Sequence, residues 1–120
     1  MGRLLVTIAL LAPPPATAQN VAALEGGQIV DLSSEASKPY TKVLILRLAA
    51  DGTVRGFFYD SDIQAGRWKT DRGRICVSFR TTDGSGFYHT SACLRGGALE
   101  GQTWAEQRAF VFNWNARRVY

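Results

Sequence analysis

The stretch "RICVSFRTTDGSGFYHTSACL", Arg74 to Leu94, fits an antiparallel hairpin in one register only. With Asp83-Gly84-Ser85-Gly86 as a four-residue loop, Thr82 faces Phe87. Counting back then sets Arg80 opposite His89, Ser78 opposite Ser91 and Cys76 opposite Cys93. Successive side chains of a strand point to opposite faces, so Ile75, Val77 and Phe79 share the other face with Leu94, Ala92 and Thr90. A one-residue slip would place Cys76 and Cys93 on different faces and mix the apolar set with the polar one. Facing cysteines on neighbouring antiparallel strands lie close enough to bridge, and the pairing predicts a Cys76–Cys93 disulfide.

The rest of the chain repeats this grammar. Glycines and Asp-Gly signals punctuate short runs rich in Val, Ile, Phe, Tyr and Thr, and no segment after Ala23 sustains a helical apolar repeat. Strands are expected at 28–32, 41–49, 53–59, 66–70, 74–81, 87–94 and 108–114. A helical turn is expected at 21–24, a loop at 33–38, and a second bend at Gly101. In "LRLAADGTVRGFF" a two-residue turn at Asp51-Gly52 would set Leu48 opposite Arg55, Leu46 opposite Phe57 and Leu44 opposite Tyr59. Both faces of that hairpin then carry apolar side chains, so its inward face stays open. A two- or four-residue loop in "TDRGR" puts Trp68 opposite Val77, whereas a three-residue loop puts it opposite Cys76. The first buries the indole and is preferred. The aromatics Phe110, Phe112 and Trp114 fall on one side of the last strand. The fold class is all-β, a small antiparallel barrel or strongly curved sheet with one disulfide.

The opening "MGRLLVTIALLAPPPATAQN" combines Arg3, an apolar run from Leu4 to Ala12 and the small-x-small site Ala16-Thr17-Ala18, which reads as a signal peptide over residues 1–18. The run is too short to span a bilayer, so no transmembrane segment is expected in the mature chain. Residues 19–120 form one domain of periplasmic or secreted address. Of fourteen basic residues Arg3 lies in the leader, and the other thirteen stand against ten acidic ones, a mature charge of +3. The basic residues are mostly arginines scattered singly, a distribution that argues against nucleic acid as partner.

The order "LAADGTVRG", "GRW", "RICVSF", "FYHTSACLRGG" and an aromatic last strand resembles a family of small exported proteobacterial proteins catalogued as a domain of unknown function. Its D-G-x-x-x-G, G-x-W, C and C pattern falls here on Asp51, Gly52, Gly56, Gly66, Trp68, Cys76 and Cys93, across about 26–114. The resemblance implies a periplasmic or secreted bacterial β-domain and supplies no reaction. Likeness to lipocalin-type barrels is architectural analogy.

His89 invites a triad with Ser78, Ser91 and Asp83, but the register places Ser78 across from Ser91 and not from His89, and no G-x-S-x-G elbow accompanies them. Asp60 and Asp62 read as turn carboxylates. One histidine and no C-x-x-C leave no zinc pattern, so neither a catalytic group nor a metal or cofactor is expected. The stronger class is non-catalytic binding. Lys69, Arg80 and His89, with Arg67, Ser78 and Ser91, give the cysteine hairpin a cationic polar face suited to an anionic envelope ligand or a protein partner, and Trp68 and Trp104 complete the candidate set. The alternative is an inhibitor of a secreted hydrolase such as lysozyme or a protease, presenting the loop 83–86 or 33–39.

Overall fold

The computed structural model of the chain describes residues 21–33 and 35–119; the expected signal peptide, 1–18, lies outside them. Nine strands follow a 3₁₀ turn at Val21–Ala23: β1 Gly26–Asp31, β2 Thr41–Leu48, β3 Thr53–Phe58, β4 Ser61–Asp62, β5 Gln64–Asp71, β6 Arg74–Thr82, β7 Phe87–Arg95, β8 Ala98–Ala105 and β9 Phe110–Arg118. Each long strand pairs antiparallel with its neighbours, and β1 pairs with both β2 and β9. The sheet therefore closes into an eight-stranded barrel, with β4 a two-residue spur on the end of β3. Closure leaves no unpaired edge. Among the described residues no helix is long and apolar enough to cross a membrane.

Alternation sorts the wall. Leu44, Leu46, Val54, Phe58, Ile75, Val77, Phe79, Leu94, Leu99 and Trp114 face inward and are buried. The cysteine hairpin takes the expected register, Cys76 opposite Cys93 and Arg80 opposite His89, and the disulfide lies on the outer face with its Cα atoms 4.0 Å apart. Trp68 sits opposite Val77 across the two-residue loop Arg72-Gly73.

The first hairpin differs from expectation. Its loop has three residues: the Ala49 amide donates to the Thr53 carbonyl at 2.9 Å, and Gly52 takes φ 92°. Leu48 thus faces Val54, Leu46 faces Gly56 and Leu44 faces Phe58. The physical reason is burial: this register gathers Leu44, Leu46, Val54 and Phe58 on one face, and Asp51 holds the turn by accepting from the Thr53 amide and hydroxyl at 3.0 and 2.6 Å. That settles the inward face left open by the sequence.

A further strand, β8, occupies the span expected to bend at Gly101, and the last strand runs over 110–118 instead of 108–114. The inward residues of β8 are Leu99, Gly101, Thr103 and Ala105, mostly too small or polar to show an apolar alternation. Gly101 is small because the indole of Trp114 lies over it; a Cβ there would come within 2.3 Å of that ring.

One end of the barrel is shut. Leu24 follows the 3₁₀ turn and is fully buried, its carbonyl accepting from Gln28 Nε2 at 3.0 Å. Trp68 packs against the same core, and its Nε1 donates to the Ala49 carbonyl at 2.6 Å. The other end, ringed by the loops after β1, β3, β6 and β8, is open.

Candidate functional site: the barrel mouth

At the open end lies a cavity of about 550 Å³. The strands build its depth: Thr81 from β6, Thr103 from β8 and Phe58 from β3 come from inward positions, with Leu32 just past β1 and Phe112 on β9 completing the wall. Phe110 and Phe112 are two apart on β9 and share a face, ring centroids 4.9 Å apart and nearly perpendicular. Tyr40, Tyr59 and Tyr88 form the rim. The Tyr40 and Tyr59 hydroxyls are hydrogen-bonded to each other. That bond, then burial, pushes the Tyr59 phenol up to about 12. It stays neutral at physiological pH.

The rim charges have different fates. Lys42 Nζ pairs with Asp60 at 3.2 Å and sits 4.8 Å from the Tyr59 ring centroid. Asp83 accepts from the Tyr88 hydroxyl at 2.7 Å and from the Ser85 and Gly86 amides at 2.8 and 3.1 Å. Arg108, in the 3₁₀ turn Glu106–Arg108, lines the mouth, and among the described residues it has no carboxylate within ion-pair distance. Its charge nevertheless reaches the Tyr59 and Tyr88 phenols. The mouth is therefore an aromatic-walled pocket with, among the described residues, one uncommitted cation at its entrance.

The hydrogen bond from Tyr88, then that from the Ser85 amide, holds Asp83 below its ordinary 3.8. A carboxylate depressed on folding contributes stability that is present at neutral pH and lost as pH falls through the folded value. A carbon-detected titration is expected to place Asp83 below 3.8, and Tyr88→Phe to move it upward. No movement in that variant would remove Tyr88 as the main cause.

Of the residues expected to form a site, Arg80, His89 and Trp104 are brought together, whereas Trp68 and Lys69 stand apart from them. Trp68 plugs the closed end. Arg80, His89 and Trp104 form one lateral row on the outer wall, and Lys69 stands opposite Cys76, four positions along β6 from Arg80, or roughly 13 Å. Arg80 is half-buried: its guanidinium lies 4.4 Å from the Phe87 ring centroid and donates to Gln64 Oε1 at 3.2 Å. His89 Nε2 pairs with Glu106 at 2.9 Å. The expected single cationic face of Arg80 and Lys69 is thus two separate places. The separation lies along the strand and follows from a rise of about 3.3 Å per residue over the four positions from Cys76 to Arg80. Trp104 remains 40% exposed on that wall.

The mouth went unseen in the sequence because its residues come from six separate segments. The sequence signal for it is the row Phe110, Phe112 and Trp114 on one side of the last strand, of which Trp114 is buried in the core and Phe110 is exposed at the mouth. Comparison with family models, curated proteins and solved structures finds no match.

Proposed function

We propose that the protein is a non-catalytic binding module of the periplasm or extracellular space that holds a small amphipathic anion in the barrel mouth. The carrying observation is a cavity of about 550 Å³, walled by aromatics and guarded by Arg108, at the open end of a barrel shut at the other. That volume lies within the range of small-molecule sites, roughly 300–1,000 Å³. Phe58, Phe112 and Leu32 would receive the apolar body, and Arg108 the acidic group by charge-assisted hydrogen bonds.

Two fluorescent probes of similar body separate these roles: anilinonaphthalene sulfonate, which is anionic, and phenylnaphthylamine, which is neutral. Arg108→Gln should weaken the sulfonate about tenfold, the effect of losing a charged hydrogen bond worth roughly 1.5 kcal/mol, and leave the neutral probe within about twofold. Phe112→Asp should weaken both. Failure of either probe to saturate the native protein at one equivalent would overturn the reading.

A second reading, inhibition of a secreted hydrolase, is favoured by the loop Asp83–Gly86. Besides the three bonds to Asp83, the Thr82 hydroxyl donates to the Gly86 carbonyl at 2.8 Å and accepts from the Gly84 amide at 3.1 Å. A loop held by its own side chains loses little entropy on docking. Dose-dependent inhibition of lysozyme or a metalloprotease, abolished by Asp83→Ala, would establish it; no inhibition in either assay would remove it.

A further inference from the structure

On the outer wall, two arginines face each other. Arg47 on β2 and Arg55 on β3 are direct cross-strand partners, both exposed. Partners in an antiparallel ladder point to the same side with Cβ atoms about 5 Å apart, and like charges so placed destabilise the pair. On the next strand Arg67 pairs with Thr53, the same-face neighbour of Arg55, and Lys69 follows on the same face of β5. Among the described residues none of these four cations has a carboxylate within ion-pair distance, although the ion pairs elsewhere on the barrel engage Lys38, Lys42, His89 and Arg95. Arg67 influences the Asp51 carboxylate at longer range, and that group is already committed to Thr53; Asp71 follows Lys69 on the same face at the end of β5.

We infer that this wall is a binding track for a linear acidic polysaccharide. Four cations run in file across β2, β3 and β5, a line roughly 15–20 Å long by strand and diagonal spacing. Three are arginines, whose planar fork grips carboxylate or sulfate in two parallel bonds. A bound polyanion would relieve the Arg47–Arg55 repulsion and release its own counterions, so attraction and the strain of the free protein act in the same direction. The shape favours a chain over a bilayer. The exposed aromatics able to enter a membrane interface, Trp104, Phe87 and Phe110, sit at or toward the mouth, away from this file. Beside the file, Phe57 is a single half-buried ring on the outer face of β3, where the stacking of successive nucleic-acid bases uses several exposed rings.

The test uses the oxidised protein and a heparin oligosaccharide, with a polygalacturonate oligomer as the carboxylate-only arm. Saturable binding near 0.15 M salt is expected, falling steeply as salt rises. Arg47→Gln combined with Arg55→Gln should weaken it at least tenfold. Arg117→Gln with Arg118→Gln, the same change in net charge at the end of β9, should weaken it less than threefold. Because the first pair removes a repulsion, its melting temperature should match or exceed that of the native protein, which separates a lost contact from a lost fold. Equal weakening by both pairs would reduce the effect to net charge and overturn the track. So would absence of binding, or tighter binding to phosphatidylglycerol vesicles or duplex DNA than to either glycan.

Discussion

Trp114→Ala is expected to lower the unfolding free energy by about 3–5 kcal/mol, the range for removing a large aromatic from a close-packed core. The indole is 4% exposed. Its Nε1 donates to Thr103 Oγ1 at 2.9 Å, Thr103 in turn bonds Thr90 at 2.8 Å, and the Phe58 ring centroid lies 5.5 Å away. Truncation leaves a void beside Thr103, which also lines the mouth, so the cavity should deepen as stability falls. Trp114→Phe keeps much of the packing and loses the donor, and should cost about 1–3 kcal/mol. A paired variant makes the claim sharper. Gly101→Ala alone overpacks the indole and should cost about 1–3 kcal/mol. Once the indole is gone the same methyl enters free space, so the double variant should be less destabilised than the sum of the singles. Denaturant midpoints at constant slope would show the coupling, and strict additivity would mean that the ring does not lie over Gly101.

That pair also explains what the sequence could and could not reveal. The cysteine hairpin was legible because two independent patterns, alternation and disulfide spacing, select one register. The Asp51-Gly52 turn was legible as a turn but not in length. Two- and three-residue loops both accept that dipeptide, and the choice rests on whether Leu46 meets Phe57 or Gly56 on the neighbouring strand. Strand β8 was hidden for a tertiary reason: its central inward position is a glycine that makes room for a side chain thirteen residues later. Periodicity records what a segment contributes to a core and not the space it yields to another. Trp104 shows the converse. An indole on a strand suggests burial, yet its neighbours Thr103 and Ala105 face inward and Trp104 faces out. The mouth was least legible, because closure around eight strands decides which loops meet.

Replacing both Cys76 and Cys93 by serine is expected to cost about 3 kcal/mol, the chain-entropy value for a closed loop of this length. The disulfide lies on the outer face, between rungs already paired by backbone hydrogen bonds, and the apolar residues of both strands turn the other way. Its loss opens no core cavity. The stabilisation should therefore reside chiefly in the unfolded chain, which the bridge keeps compact, and the denaturant slope should rise in the serine variant as a more expanded unfolded state is exposed. The native barrel should persist. Its mouth should bind the sulfonate probe with affinity unchanged within about twofold, since none of the pocket's lining residues touches the bridge in sequence or register. If the bridge instead held the wall in shape, probe affinity would fall with stability and the slope would stay constant. Loss of probe binding at a denaturant concentration where the variant remains fully folded would therefore refute the entropic account.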